Sequence, residues 1–184
     1  MASVLVPLAM GFEEIEVVSI IDVLRRGGIE VVSASLDDRR NVLGSNGITI
    51  VANNELKNIK SEDFDMIVLP GGIPGAEHLR DSDRVQELLK EFDSSSKPIG
   101  AICAAPIALE KAGLIKGDYT CYPSYEEGIK SGNFTDKDKV VVSGRIVTSR
   151  GPGTAICFGL SIVKQLVGDE TYQALKNGLL ADYC

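Results

Sequence analysis

Short apolar segments alternate along the chain with longer segments in which apolar and polar residues recur at helical spacing. Five short runs rich in β-branched residues are mostly apolar: 4–8, 29–34, 66–69, 99–102 and 146–149. Such runs are typical of parallel strands that helices cover on both faces. Five amphipathic segments lie between or after them: 13–26, 83–92, 105–111, 153–167 and 171–180. The alternation predicts an α/β fold, with a doubly wound, mostly parallel sheet sandwiched between helices.

Two segments interrupt this rhythm. The sequence LGSNGITIV, around Asn46 and Gly47, predicts a turn that leads into an added edge strand, and VVVSGRIVT, around Gly144, predicts a tight hairpin. The sequence contains no linker of low complexity and no internal repeat. Because 184 residues suit one well-filled core, we expect a single domain over residues 1–184.

The charge balance restricts the class of partner. The chain has 26 acidic and 19 basic residues, a net charge near -7, and no Lys/Arg cluster longer than a pair. This disfavours a nucleic-acid partner. No apolar run is long enough to span a membrane, and the first residues contain no basic leader. We therefore expect a cytoplasmic protein that acts on a small soluble partner and contacts no membrane.

The cysteine and histidine pattern gives no sign of a metal site. Cys103, Cys121, Cys157 and Cys184 are widely spaced and form no CxxC pair, and His78 is the single histidine. This supports neither zinc binding nor a disulfide framework, so we expect no metal and four reduced thiols. In its polar context, AEHLRD, His78 is expected to be exposed or to cap a helix.

Cys103 lies at the junction between a predicted strand and a predicted helix. Ligands of open α/β sheets collect outside the carboxyl ends of the strands. At such a junction the helix N-terminus stabilises a thiolate, and a tight turn exposes the side chain as a nucleophile elbow does. A buried core cysteine is the alternative, because cysteine is often a small buried residue. The local pattern leaves both open.

Glu16 favours the functional interpretation of Cys103. At about 100° per residue, Glu16 falls between Ile20 and Val23, inside the apolar arc of its helix. Glu13 also lies near the arc, but at the helix start, where an exposed acid suits the dipole. The remaining charged residues fall outside the arc and are expected to be solvated: Glu14, Asp22, Arg25 and Arg26. A carboxylate directed into a core needs a partner or a raised pKa. A neutral Glu16 could donate a hydrogen bond to a Cys103 thiolate and move a proton.

Two glycine-containing loops also follow predicted strands. In LPGGIPGA, Gly71 and Gly72 permit unusual backbone angles and leave N–H groups free for an oxyanion; the alternative is an ordinary turn. In RGPGTA, Arg150 precedes a helix start that suits an anion, and simple helix initiation is the alternative.

Taken together, GFEEIE, VLPGGIPGAEHL, AICAAP and TSRGPGTA, in that order and nearly spanning the chain, resemble the ThiJ/PfpI superfamily. Within it, the sequence is most similar to the branch that contains Parkinson disease protein 7 and bacterial YajL. The resemblance implies a flavodoxin-like sandwich, usually a homodimer that needs no cofactor. It also implies a reactive Cys103 beside a protonated Glu16, oxyanion contacts from the backbone of Gly72 and Ala104, and an RGPGT loop that helps to close the pocket.

Members of this branch have been described as glyoxalases that make lactate from methylglyoxal, as deglycases, and as redox-sensing or chaperone-like stress proteins. The resemblance therefore implies a small aldehyde or a glycated compound as substrate, with a redox sensor as the alternative. The chain departs from the pattern at Tyr122, where several relatives have a histidine, so a Cys-His pair is excluded and peptidase or amidotransferase activity is least favoured. It also departs at Asn46, where some relatives have an arginine near the pocket.

Overall fold

The predicted alternation of strands and helices is present in a computed structural model that describes residues 1–184. The strands are β1 (Ser3–Leu8), β2 (Glu30–Ser35), β3 (Asn41–Leu43), β4 (Thr49–Val51), β5 (Asn54–Glu55), β6 (Met66–Leu69), β7 (Ile99–Ile102), β8 (Asp118–Tyr119), β9 (Asn133–Phe134), β10 (Val140–Ser143) and β11 (Ile146–Ser149). The helices are α1 (Glu14–Arg26), α2 (Gly75–Asp81), α3 (Asp83–Ser94), α4 (Pro106–Lys111), α5 (Ala155–Leu166) and α6 (Asp169–Gly178).

The main sheet has seven strands in the order β10-β11-β7-β6-β1-β2-β5. All neighbouring strands are parallel except β10 and β11, which form the predicted antiparallel hairpin at Gly144. Every residue of β6 and β7 is buried, as expected for strands covered on both faces. The mostly parallel sheet between helices confirms the predicted α/β class. The chain order reverses between β1 and β6, and ligands of such sheets bind beside this point.

The helices form two groups around one continuous core of 49 buried residues. Helix α1 packs against α5, which also contacts α6, while α2, α3 and α4 pack together. A Cβ at Gly159 would lie 3.0 Å from Val23, so this glycine lets α5 approach α1 closely. No helix is both long and apolar enough to cross a membrane.

The predicted edge strand after Asn46 is wrong in one respect. Strand β4, which follows that turn, pairs with β3 in a separate two-stranded sheet, and the edge of the main sheet is β5. The side chain of Asn53 accepts hydrogen bonds from the N–H and hydroxyl of Ser33 in β2. Because this amide occupies the earlier pairing position, parallel pairing with β2 begins only at Asn54.

The expectation of four reduced thiols is also wrong. Cys157 and Cys184 form a disulfide across a sequence separation of 27, with their Cα atoms 5.1 Å apart, whereas Cys103 and Cys121 are free and buried. The spacing could not reveal this bond because the return of the chain along α6 brings the two residues together.

Candidate active site

Cys103 lies directly after β7 in an unusual backbone conformation. Its φ is 63°, in the left-handed region that non-glycine residues rarely adopt. Two hydrogen bonds hold this conformation: its N–H donates to the carbonyl of Ser149 at 2.9 Å, and its carbonyl accepts from the N–H of Tyr122 at 2.8 Å. Such strain is typical of functional sites, where the surrounding structure fixes a residue in a disfavoured conformation.

Gly71 allows Glu16 and Cys103 to meet. A Cβ at Gly71 would lie 2.6 Å from the Cβ of Cys103, 3.0 Å from its Sγ and 2.8 Å from Oε2 of Glu16. A side chain at position 71 would therefore occupy the space in which the two groups approach. The N–H of Gly71 donates to Oε2 of Glu16 at 2.8 Å, and the Glu16 carboxyl also hydrogen-bonds the Cys103 thiol. We call these two residues the Glu16–Cys103 pair.

Glu16 is fully buried, as its position on the predicted helix required. Burial raises the pKa of Glu16 from 4.5 to about 7, although the hydrogen bonds from Cys103 and Gly71 act in the opposite direction. The second carboxyl oxygen, Oε1, is buried and has no hydrogen-bond partner. A buried oxygen without a donor is unfavourable when charged, so this environment favours the neutral form of Glu16.

Burial also raises the pKa of the Cys103 thiol, and the charge of an ionised Glu16 raises it further. The backbone N–H groups of Gly72 and Ala104 act in the opposite direction, because they donate to the sulfur and favour the thiolate. The two acids are close enough to titrate as one unit. The pKa of Glu16 is raised to about 7 and the pKa of the Cys103 thiol is raised as well, so between the two ionisations the pair holds a single proton. Near and above neutral pH it therefore shares one proton.

The structure places Tyr122 beside the pair through its backbone, which contacts Cys103 as described above. Its half-exposed ring lies against the Gly151 backbone, where a Cβ would be 3.1 Å from Cδ2 of Tyr122. The ring also forms an edge-on pair with Tyr125 at 6.4 Å between centroids. Tyr125, which sequence reasoning missed, thus extends the aromatic surface beside the RGPGT loop.

Arg150 and His78 are not gathered with the pair. The guanidinium of Arg150 lies 4.0 Å from the carboxylate of Asp136, and its charge acts on Cys121, whose pKa it lowers against the larger effect of burial. His78 is half-buried on α2, with Nδ1 3.1 Å from the carbonyl of Met10. No group of three or more His, Cys, Asp or Glu residues is arranged to hold a metal ion.

Glu14 is the clearest error of the sequence-based interpretation. It was expected to be solvated, but it is only 5% exposed because the 44–48 turn folds over it. Its carboxylate accepts hydrogen bonds from the backbone N–H groups of Asn46 and Ile48 and from the side chains of Asn46 and Ser45. We call Glu14 with residues 44–48 the turn clamp. Asn46 belongs to this clamp. The helical wheel gave no signal for the burial of Glu14, because the hydrogen-bond donors to its carboxylate come from a distant turn.

Access to the site is narrow. Cys103 is 7% exposed. Four surface cavities of about 320 to 600 Å³ are lined by other residues and do not include Cys103 or Glu16. The chemistry of the pair, more than the size of a cavity, marks this place as the candidate active site.

Comparison with known proteins identifies the family of the chain. The sequence model of the DJ-1/PfpI family matches residues 2–165. This chain belongs to the DJ-1/PfpI family. The match covers all elements that form the Glu16–Cys103 pair, from α1 to the RGPGT loop.

Individual relatives of the DJ-1/PfpI family extend this result. Protein dj-1beta of Drosophila melanogaster is 41% identical over 183 residues, which cover 98% of each chain. Its crystal structure superposes with a TM-score of 0.94 over 97% of each chain, at 40% identity. The glutathione-independent glyoxalase DJR-1.2 of Caenorhabditis elegans is 40% identical over 173 residues, which cover 94% of this chain and 90% of the relative. Protein DJ-1 homolog B of Arabidopsis thaliana is 41% identical over 169 residues; the match covers 91% of this chain but only 39% of that relative's length.

Proposed function

We propose that this protein is a cysteine-dependent glyoxalase that needs no cofactor and converts a small 2-oxoaldehyde, such as methylglyoxal, into a 2-hydroxy acid. The observation that carries the proposal is the approach of the buried Glu16 carboxyl to the Cys103 thiol beside Gly71, where the N–H groups of Gly72 and Ala104 favour the thiolate. The glyoxalase name of the Caenorhabditis elegans relative supports the same reaction. The low exposure of Cys103 favours a free aldehyde over a glycated protein, the substrate of a deglycase.

The first step uses the form of the pair in which the proton is on Glu16. The Cys103 thiolate attacks the aldehyde carbon, a C–S bond forms, and the carbonyl electron pair moves to oxygen. The N–H groups of Gly72 and Ala104, which favour the thiolate form of Cys103 in the free protein, stabilise the oxyanion that forms beside the sulfur. Proton transfer from Glu16 to this oxygen gives a neutral hemithioacetal and leaves Glu16 as a carboxylate.

The second step is an internal redox exchange that needs no external oxidant. The Glu16 carboxylate removes the hydrogen on the carbon bonded to sulfur and returns a proton to the neighbouring carbon. The hydroxyl proton of the first carbon moves to the oxygen of the second, so the first carbon becomes a thioester and the second an alcohol. Water then attacks the thioester and breaks the C–S bond, which releases the 2-hydroxy acid and the thiol. A carboxyl with a pKa of about 7 suits both roles, because it gives and takes a proton near neutral pH.

Formation of lactate from methylglyoxal tests this function. We expect Cys103→Ala to fall to the rate of buffer, and Glu16→Gln to lose about 100- to 10,000-fold in kcat because general acid–base catalysis is removed. Cys121→Ser is the matched control, since Cys121 is also a free, buried thiol but lies outside the pair. Equal rates in wild type, Cys103→Ala and Glu16→Gln would overturn the proposal. A parallel assay on an early glycation adduct of a protein distinguishes deglycase from glyoxalase activity.

The pH dependence of Cys103 alkylation tests the shared proton directly. In wild type we expect a step in the rate near pH 7, from the first ionisation of the pair. In Glu16→Gln this step should disappear, because the carboxyl that supplies it is gone. A single wild-type midpoint above the roughly 8.5 of a free thiol would contradict a thiolate stabilised by Glu16.

A redox-sensing or chaperone-like stress function is the second candidate. The N–H groups of Gly72 and Ala104 that favour a thiolate would also hold the oxygens of a Cys103 sulfinate. Mass spectrometry after mild peroxide treatment separates the two: oxidation of Cys103 with little methylglyoxal turnover favours the sensor. Preferential oxidation at Cys121 would exclude it.

We also propose a homodimer in which a second copy covers an exposed apolar surface around α1. Ile15 and Val18 of α1 are exposed, as are three residues of the neighbouring β3–β4 hairpin: Leu43, Ile48 and Val51. The turn clamp holds this hairpin against α1, so these residues form one surface. Val18→Glu should convert a dimer into a monomer in size-exclusion chromatography with light scattering. Val142→Glu, at a similarly exposed position on β10, is the control; a monomeric wild type would contradict the proposal.

A further inference from the structure

A disulfide joins the first turn of α5 to the last residue of the chain, far along the sequence from the Glu16–Cys103 pair. Cys157 is 5% exposed, Cys184 is partly exposed, and the loop between them includes all of α6. We call residues 179–184 together with this bond the tail clasp. Neither the proposed catalysis nor the turn clamp uses it.

Apart from the tail clasp, few strong contacts hold helix α6 in place. None of its ten residues is buried. Its polar contacts with α5 are at the surface, where Lys164 pairs with Asp169 at 2.9 Å and lies 5.0 Å from the ring centroid of Tyr172. Exposed ion pairs of this kind contribute little to stability. A segment with few buried groups opens locally at low cost, so the covalent bond is the strongest restraint on this part of the chain.

The backbone of the tail clasp is itself disfavoured. Leu180 has a φ of 54°, in the left-handed region, and its side chain is 81% exposed. The turn is held by the N–H of Ala181, which donates to the carbonyl of Lys176 at 3.0 Å, and by the fully buried side chain of Ala181. Glycine is usual at this position after a helix because a Cβ there is sterically unfavourable. Loss of the disulfide would leave the buried Ala181 and the partly buried side chains of Tyr172, Leu175 and Leu179, which pack against the core, as the anchors of this segment.

Small reagents can reach the disulfide. An open cavity of about 420 Å³ is lined by both cysteines, and its charged residues are three lysines, Lys137, Lys139 and Lys164, and one carboxylate, Asp138. Lysines near a thiol favour the thiolate, which is the form that reacts with peroxides and takes part in thiol–disulfide exchange.

We propose that Cys157 and Cys184 are a reversible dithiol–disulfide site, separate from Cys103, whose oxidation fastens α6 and residues 179–184 to α5. In the oxidation, one thiolate attacks a peroxide, which breaks the O–O bond, forms a sulfenic acid and, after protonation, releases water. The other thiol then displaces the hydroxyl, forms the S–S bond and releases a second water. A dithiol reductant returns two electrons, restores both thiols and becomes a disulfide itself.

The test compares the oxidised and the reduced full chain. After dithiothreitol and then stoichiometric hydrogen peroxide, peptide mapping without reductant should recover the linked Cys157 and Cys184 peptides, and in Cys103→Ala as well. Hydrogen–deuterium exchange over residues 169–184 should be at least tenfold faster in the reduced protein and return to the slow rate on reoxidation. Cys184→Ser should exchange fast in both conditions, whereas the Cys121→Ser control should keep the switch.

Two results would overturn the proposal. One is the absence of the linked peptides after peroxide treatment. The other is equal exchange of residues 169–184 in both redox states. Because wild type with reductant and Cys184→Ser open the clasp by different routes, a folding defect of one variant cannot imitate the switch.

Discussion

Two carboxylates on the first turn of α1 are both buried, yet their environments oppose each other. Glu14, in the turn clamp, is 5% exposed, and hydrogen bonds from Asn46 and Ile48 outweigh the effect of burial and hold its pKa below the ordinary value. Glu16, in the Glu16–Cys103 pair, is fully buried with one unpartnered oxygen, and burial raises its pKa to about 7. The difference shows that the number of donors, and not burial alone, decides whether a buried carboxyl serves structure or chemistry.

Replacement of Glu16 gives the largest expected effect on stability. Because the folded pKa of Glu16 is raised from 4.5 to about 7, its ionisation favours the unfolded state between these pH values. Wild type should lose about 3 kcal/mol of unfolding free energy relative to Glu16→Gln between pH 4.5 and pH 7.5, and the two should converge at lower pH. Urea unfolding of both proteins across this pH range measures the difference in unfolding free energy. A difference that does not change with pH would show that ionisation of Glu16 does not destabilise the folded state.

Replacement of Glu14 should change the unfolding free energy in the opposite direction from replacement of Glu16. A lowered folded pKa stabilises the protein above the unfolded value and loses this contribution as pH falls through the folded pKa. Glu14→Gln should therefore lose about 2 kcal/mol at pH 7, the cost of hydrogen bonds to a charged group, and less at acid pH. Asp22→Asn, which removes an exposed carboxylate from the same helix, is the control. An unchanged unfolding free energy in Glu14→Gln would contradict the turn clamp.

A single substitution at Asn46 separates the contribution of its side chain from that of the other donors in the turn clamp. Asn46→Ala removes the side-chain donor at 3.0 Å but keeps the two backbone N–H donors and Ser45. We expect a loss of about 1 kcal/mol at pH 7. Faster hydrogen exchange should be confined to residues 44–48. A loss as large as that of Glu14→Gln would mean that the amide side chain supplies most of the clamp.

Much of the fold could be predicted because the apolar pattern is local. Strands β6, β7 and β11 have the bounds predicted from sequence, and α1 begins within one residue of its predicted start. Helix α2 was missed because it begins at the last residue of the glycine- and proline-rich GGIPG segment, which is typical of a loop. The edge strand was misplaced because the Asn53 side chain, whose partner is 20 residues away, sets where pairing begins.

The features of the candidate site also fall into those that the local pattern predicts and those that depend on distant contacts. The local residue pattern predicts that Cys103 ends a buried strand and that Glu16 faces the core, because each follows from the period of its own segment. Tertiary contacts account for the rest: Gly71 lets the two meet, a distant turn satisfies Glu14, Arg150 lies beside Asp136, and Cys157 bonds Cys184. These outcomes depend on contacts between residues far apart in sequence, and local periodicity carries no information about which donors, charges or thiols the folded chain brings together.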